Sequence, residues 1–257
     1  MSIFPTTSLT APLRAVGGFF AMALDVMVLL FKPPFAWREF VGQSWFVARV
    51  SIVPTLMLSI PFTVLTVFTL NILLVEFGAA DFSGTGTALG AVTQIGPIVT
   101  VLVVSGAGAT AMCADLGART IREELDALRV LGINPVHSLV VPRVLAATLV
   151  AAALVSLVTI VGIIGGFVFS VFVQHVTPGA FASGLTLLTG LPEVVLAVVK
   201  GALFGLAAGL IACYKGISVG GGPSGVGTAV NETVVYSFVA LFVINVITTA
   251  AFVKVTM

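Results

Sequence analysis

Long apolar stretches separated by short charged segments form the main pattern of the chain. Four stretches contain no Asp, Glu, Lys or Arg, and a fifth is interrupted only by Lys200. About 20 mostly apolar residues are needed to cross a hydrocarbon core of roughly 30 Å as a helix. The pattern therefore predicts five membrane-spanning helices, which we place at 47–75, 88–114, 136–174, 193–214 and 232–253.

The basic residues indicate how these spans are oriented. Nine of the eleven Lys and Arg residues precede the uncharged stretch of span one, separate the uncharged stretches of spans two and three, or follow span four: Arg14, Lys32, Arg38, Arg49, Arg119, Arg122, Arg129, Arg143 and Lys215. The opposite side receives only Lys254. Because Lys and Arg accumulate in cytoplasmic loops, we expect the start of the chain in the cytoplasm and its end on the extracytoplasmic side.

The segment 10–34 predicts a further helix that lies in the membrane interface. Two charges interrupt its apolar pattern, and Lys32-Pro33-Pro34 ends it because proline cannot continue a helix. Trp37 and Trp45 suit the headgroup level, where amphipathic rings anchor. The alternative is a loose amphipathic leader without a role.

Composition agrees with a membrane protein and excludes other classes. Hydrophobic residues make up 59% of the chain and charged residues 8%, and the mean hydropathy is +1.22. A net charge of +1 provides no positive electrostatic field that would attract the phosphates of a nucleic acid. Two Cys and two His are too few for a zinc or haem centre. The predicted fold class is an all-α membrane protein with an N-terminal interfacial helix and five transmembrane helices.

Small residues predict close helix packing in span four. Gly201, Gly205 and Gly209 recur at four-residue spacing, which places them on one helical face and lets another helix approach. The spacing does not distinguish a neighbour in the same chain from one in a second subunit. Packing within one chain is the commoner case.

A charged segment between spans two and three predicts a helix at 116–131. Thr120 and Glu123 form a capping-box pattern that starts it, and Gly132 ends it. One face is apolar and the other charged, and two pairs are spaced for i,i+4 contacts, Arg119 with Glu123 and Arg122 with Asp126. The apolar face consists of Ile121, Leu125 and Leu128.

The charge balance of this helix favours a protein partner. Helices that lie on anionic lipid are rich in Lys and Arg, whereas residues 115–129 contain four acidic and three basic residues. A face of mixed sign can provide register and specificity to a protein interface. The alternative is a solvated loop helix held by its own ion pairs.

A few residues within the spans are candidates for substrate contact. Lys200 is a charge inside span four, where ionisable groups usually face a bundle interior or a cavity. It either meets a lipid carboxylate or phosphate or, as we favour, snorkels to the outer interface. Phe68, Ile72 and Gln94 lie at similar depth in spans one and two and are candidate pocket residues. Ordinary core or lipid-facing positions are the alternative for these three.

The stretch ARTIREELDALRVLGINPVHSLVVPRVLA, residues 118–146, resembles the signature of the MlaE/YrbE permeases, membrane subunits of ABC transporters that move lipids with MCE proteins. The resemblance covers most of the chain as a single permease domain, 1–257. LRAVGGFF, SIPFTVL and AVNETVV are most similar to actinobacterial YrbE proteins of Mce systems, in particular the A-type member of each pair.

The resemblance implies that the charged helix is a coupling helix that docks on a cytoplasmic ATPase. The residues it assigns to coupling are Arg119, Arg122, Glu123, Glu124, Asp126 and Arg129. It further implies a second, B-type permease forming a heterodimer, two ATPase copies, extracytoplasmic MCE proteins and a lipid substrate. The fatty acid, mycolic acid, sterol and phospholipid classes all remain open, and import is the direction that the actinobacterial likeness favours.

The chain has no sequence of the form G-x-x-x-x-G-K-[ST], so we expect it to bind no cofactor and to leave ATP and magnesium to a partner ATPase. The glycine-rich run 220–227 is interpreted as a flexible turn between spans four and five. An ion-coupled transporter or channel is the rival function, although the spans hold almost no ionisable groups. An intramembrane enzyme is disfavoured because the span serines Ser105, Ser156 and Ser170 have no Lys or His at hand in the uncharged stretches of their spans.

Overall fold

The computed structural model describes residues 7–256, with side chains for residues 14–254. Throughout this range the regular structure is helical. The α-helices are α1 (Thr7–Leu29), α2 (Trp37–Thr63), α3 (Thr69–Glu76), α4 (Ser83–Leu89), α5 (Gly96–Val103), α6 (Ala109–Ile121), α7 (Glu124–Val130), α8 (Val141–Phe172), α9 (Pro178–Leu185), α10 (Leu191–Ile217) and α11 (Gly222–Thr256). Short π-helical segments join several of them without a break: Val64–Phe68, Gly90–Ile95, Val104–Gly108 and Val136–Val140.

Within residues 7–256, five helical stretches are long and apolar enough to cross a membrane, which confirms the predicted number. They are Trp37–Glu76, Ala80–Ile121, Val136–Phe172, Leu191–Ile217 and Gly222–Lys254. Spans one, two and five begin about ten residues earlier than predicted. In span one the first turn is charged, but Glu39 has a partner inside the bundle, Arg143 at 3.0 Å, so the helix continues through it.

The third span, α8, lies at the centre of the bundle between α2 and α10. It runs parallel to α2, since Glu39 pairs with Arg143 at one end and Asn71 with Ser170 at the other. It runs antiparallel to α10. We call the end that carries α1 and α7 the basic end, and the end that carries α9 the opposite end.

The glycines of α10 pack against α8 within the same chain. A Cβ atom added to Gly205 would overlap the carbonyl group of Ala147, and one added to Gly201 would lie 3.0 Å from the carbonyl oxygen of Ala151. A Cβ on Gly209 would lie 3.2 Å from the Cα of Val144. The four-residue glycine spacing thus brings the two backbones together along about two helical turns.

A stripe of small polar residues on α2 faces the bundle at every fourth position. Its members are Gln43, Ser51, Thr55, Ser59 and Thr63, with Val47 between the first two. Some of the hydroxyls satisfy themselves on their own helix: Thr55 donates to the carbonyl of Ser51 at 2.7 Å and Ser59 to that of Leu56 at 3.0 Å. Small side chains of this kind let α2 approach its neighbours closely.

The N-terminal helix α1 packs one face on the basic end of the bundle. Met22 and Val26 are buried there, and Tyr214 of α10 donates a hydrogen bond of 2.7 Å to the carbonyl oxygen of Ala15. The other face is apolar and exposed, with Phe20 and Val28 among its residues. These contacts contradict a loose leader, whereas the position of α1 in a membrane interface stays a prediction. The helix ends at Leu29, before the predicted Lys-Pro-Pro stop.

The last span, α11, contradicts the predicted flexible turn. Helical structure begins at Gly222, so most of the glycine run 220–227 lies inside the helix and only Ser218–Gly221 connects α10 to α11. Gly222 itself has a φ of +83°. Proline fits the first turn of a helix, where no backbone donor is needed, and Pro223 provides this start. Close to it, Lys215 of α10 contacts Glu232 at 2.6 Å and lies over the Tyr236 ring.

Candidate functional site

The charged segment between spans two and three does not begin at the predicted capping box. α6 continues through Thr120, whose hydroxyl donates to the carbonyls of Leu116 at 2.9 Å and Gly216 at 3.0 Å. Glu123 has left-handed backbone geometry, with a φ of +59°. The capping-box prediction was wrong because the threonine hydroxyl bonds backward to its own helix and across to α10, and the predicted 116–131 helix is two helices with a bend between them.

The ion pairs of this segment also differ from the predicted ones. Arg119 pairs with Asp115 at 3.5 Å, and Arg122 with Glu124 at 2.8 Å. The remaining pair joins Arg129 to Asp126 at 2.7 Å. Left-handed backbone between α6 and α7 shifts the helical phase. The predicted pairs of Arg119 with Glu123 and Arg122 with Asp126 therefore do not form.

The end of α7 is as predicted. Gly132 has a φ of +75°, and its N–H donates to the carbonyl of Arg129 at 3.0 Å. The next N–H, of Ile133, donates to the carbonyl of Leu128 at 2.9 Å. These two bonds form a Schellman motif, in which a residue without Cβ tolerates positive φ and satisfies the last carbonyls of the helix.

α7 rests on the bundle through two of the three residues of the predicted apolar face, Leu125 and Leu128, whereas Ile121 ends α6. Leu125 is buried in a cluster that includes Leu116 and Leu139, and Leu128 packs against the same cluster. On the other side the tip of the helix is apolar and open: Val130 is 86% exposed. The seven residues of α7 therefore present charges and an apolar tip outward from a base that packs on α6 and on the π-helical segment Val136–Val140.

A shallow groove of about 350 Å³ runs beside α7. Its lining combines charged and apolar side chains: Arg119, Glu124, Ala127, Leu128, Leu131 and Leu139. Two of the coupling residues assigned from the resemblance, Arg119 and Glu124, line this groove. Three others lie on the exposed surface of the segment: Arg122, Asp126 and Arg129. Glu123 is exposed at the bend.

A buried ionic cluster lies directly beneath this segment and was missed by sequence reasoning. Arg143, in the first turn of α8, is completely buried. Its Nη2 lies 2.7 Å from the Oδ2 of Asp115, and its Nη1 lies 3.0 Å from the Oε1 of Glu39 and donates to the carbonyl of Leu139 at 3.0 Å. The available signal was that two carboxylates and an arginine fall at span ends on the same predicted side.

The candidate pocket residues lie in separate places. Phe68 stacks on Phe169 of α8, with ring centroids 3.7 Å apart. Ile72 lines a groove of about 330 Å³ at the opposite end, together with Val75, Glu76, Val173 and Gln174. Gln94 is exposed on the π-helical segment of span two. The structure thus brings Phe68 and Ile72 to the same end of α8 and places Gln94 elsewhere.

Lys200 does not snorkel, contrary to the interpretation that we favoured from the sequence. Its side chain is buried, and Nζ donates to the hydroxyl of Thr249 on α11 at 2.7 Å. Thr249 in turn donates to the carbonyl of Asn245 at 2.6 Å, and the Oδ1 of Asn245 is buried without a partner. Within residues 14–254 no carboxylate pairs with Lys200, and Glu193, seven residues earlier, instead accepts from the N–H of Gly190 at 2.8 Å.

Comparison with known proteins agrees with this architecture. Residues 40–251 match the family model described as Permease MlaE. A probable ABC transporter permease protein of Synechocystis sp. is 33% identical over 181 residues, which cover 70% of this chain and 69% of that protein. A probable ABC transporter permease protein of Rickettsia bellii is 25% identical over 250 residues, which cover 94% of this chain and 93% of that protein.

A third relative has a more specific name. The intermembrane phospholipid transport system permease protein MlaE of Haemophilus influenzae is 26% identical over 180 residues, or 70% of this chain and 69% of that protein. The five apolar spans and these permease relatives indicate a multi-pass integral protein of the bacterial inner membrane. The chain belongs to the MlaE permease family.

Proposed function

We propose that this chain is the permease subunit of an ATP-driven lipid transporter and that α7 is the helix on which a partner ATPase docks. The relatives are ABC transporter permeases, and the sequence has no phosphate-binding loop of its own. The observation that carries the proposal is α7 itself: its apolar face is buried on the bundle while its charged face and apolar tip are exposed.

The chemistry of the exposed surface suits a protein groove. Protein interfaces combine an apolar centre with a polar rim, and α7 offers Val130 and Leu131 beside charged side chains of both signs. Complementary charges set register and specificity more than affinity. In this proposal Glu123, Glu124 and Asp126 face the ATPase, and ATP and magnesium are bound by that partner.

The orientation and the larger assembly belong to the same proposal. The basic end faces the cytoplasm, so the chain begins there and ends outside, as the distribution of Lys and Arg favours. A second, B-type permease completes a heterodimer, and MCE proteins continue the lipid path outside the membrane. The resemblance of several sequence stretches to actinobacterial YrbE proteins supports an A-type YrbE protein of an Mce system that imports lipid.

Lys200 provides the proposed contact for an acidic lipid. The buried amine of Lys200 donates to the hydroxyl of Thr249, and the Oδ1 of Asn245, four residues before Thr249, is buried without a partner. Polar positions of this kind within an apolar span are usually functional. Fatty acids, mycolic acids and phospholipids carry an anionic group that could pair with it, whereas sterols do not. The groove beside Ile72 and the Phe68 stack are proposed to contact the apolar tails, and Gln94 lies outside this path.

The test is reconstitution with the partner ATPase and charge reversal on α7. Glu123→Lys with Asp126→Lys is expected to abolish ATPase binding and lipid transport while the permease stays in the membrane. Asp81→Lys, an exposed acidic position at the opposite end, is the control and should change neither. Transport that persists in the α7 variant, or that follows a proton or sodium gradient without ATP, contradicts the proposal.

A further inference from the structure

Arg143 joins three helices at the basic end. It lies in the first turn of α8, its carboxylate partner Asp115 lies on α6, and its second partner Glu39 lies in the first turn of α2. α6 leads into α7 after only two residues, Arg122 and Glu123. A displacement of α7 therefore reaches Asp115 through little more than one continuous helix.

The geometry of the guanidinium makes this junction stiff. Its planar fork holds two different carboxylates at 2.7 and 3.0 Å while also donating to the carbonyl of Leu139. A buried arginine needs such partners, and the fixed angles of the fork define where each carboxylate sits. Asp115 is held from the other side by Arg119, at 3.5 Å. If one of these residues moves, the others must therefore move with it, or the contacts of the cluster break.

In the described side chains, the polar contacts between span one and α8 are confined to the two ends of the span, and Glu39 makes the contact at the basic end. These contacts are the ion pair of Glu39 with Arg143 and the hydrogen bond of Asn71 to Ser170 at 2.8 Å. Between them Thr55 and Ser59 bond their own helix. The middle of the α2–α8 contact is therefore held by packing, which permits one helix to shift on the other.

We propose that Arg143 is a positioning residue that transmits displacement of α7 to α2 through Glu39. The inference rests on the proposed function, because it assumes that an ATPase moves α7. When the Glu39 contact is lost, α7, α6 and α8 stay connected and move together. α2 is then no longer displaced with them. The ATPase then continues to hydrolyse ATP while less lipid is moved for each ATP.

The experiment uses the complete transporter in proteoliposomes and measures lipid moved per ATP hydrolysed. Glu39→Ala is expected to keep hydrolysis within about twofold of the unmodified protein and to lower lipid per ATP at least about fivefold, a coupling loss of the usual size. Glu39→Gln keeps an acceptor for Arg143 and should recover part of the ratio. Glu232→Ala, which removes the α10–α11 ion pair, is the matched control and should keep the ratio.

A second measurement follows the helices directly. Spin labels at the exposed positions Met57 on α2 and Leu149 on α8 should keep one narrow distance distribution through the ATP cycle, and Glu39→Ala should broaden it. An unchanged lipid-to-ATP ratio in Glu39→Ala, or an equal loss in Glu232→Ala, overturns the inference but not the proposed function. Failure of the unmodified transporter to use ATP at all overturns the proposed function instead.

Discussion

Lys200 donates a hydrogen bond of 2.7 Å to Thr249, from a side chain that is only 2% exposed in the middle of an apolar helix. A buried amine with one neutral partner is costly to keep in a membrane. The presence of an amine at this buried position is explained if an anionic group of the transported lipid pairs with it.

Lys200→Met tests this role because methionine keeps the length and apolar stem but removes the amine. We expect ATP hydrolysis to persist and transport of a fatty acid to fall about tenfold, which corresponds to about 1.4 kcal/mol of lost transition-state stabilisation. Transport of a sterol, if the complex accepts one, should not change. Lys254→Met, at an exposed position on the same helix as Thr249, serves as the control, and equal losses in both variants would contradict the role.

Gly205→Leu is expected to separate α10 from α8. Even a Cβ at this position overlaps the carbonyl of Ala147, and overpacking costs about 1–3 kcal/mol in a well-packed core. Thermal unfolding of the detergent-solubilised protein should show a clear loss of stability. Gly227→Ala on α11, where an added Cβ meets open space, should be neutral or stabilising because alanine has the higher helix propensity; a similar loss of stability at both positions would contradict the close approach assigned to Gly205.

Glu123→Gly should preserve the bend between α6 and α7 and stabilise it by up to about 1 kcal/mol, because left-handed geometry is costly for residues with a Cβ. Glu123→Ile should destabilise it, since a β-branched residue tolerates positive φ poorly. Hydrogen exchange of the α7 amides reports the difference. Slower exchange in the isoleucine variant than in the glycine variant would contradict the assigned geometry.

Asn71→Ala should weaken the attachment of α3 to α8 by losing the 2.8 Å bond to Ser170. Hydrogen bonds between membrane helices contribute about 0.6 kcal/mol on average and up to about 1.7 kcal/mol. A double-mutant cycle with Ser170→Ala measures the pair directly. Thr55→Ala is the control, because its hydroxyl bonds its own helix, and the cycle of Thr55 with Ser170 should show no coupling.

The number of spans could be predicted because the length and polarity of a membrane helix are imposed by the bilayer rather than by the rest of the chain. The stop at Gly132 was predictable for a related reason: positive φ at a helix end is a local requirement of the backbone. The packing of Leu125 and Leu128 followed from periodicity, whereas Ile121, the third residue of the predicted face, lies on α6. In each case the physical cause lies within a few residues of the signal.

The features that sequence reasoning missed depend on distant partners. Thr120 fits a capping box, but the carbonyl of Gly216, 96 residues away, also accepts from its hydroxyl. Arg143 lies at a span end like the other basic residues, and only the fold brings Asp115 and Glu39 to it. The short helix α9 had a local signal in Thr177-Pro178, where the threonine hydroxyl accepts from the N–H of Ala180 at 3.3 Å, but no helix was predicted between spans three and four.

The final helix, α11, is linked to α10 by a lysine at each end: Lys215 binds Glu232 and Lys200 binds Thr249. The two acceptors are separated by 17 residues, or about 25 Å of helix. A slip of one residue would rotate α11 by about 100° and break both bonds at once. An apolar helix that could otherwise insert in several alignments thus has a single correct one, and the two lysines select it when the chain enters the bilayer.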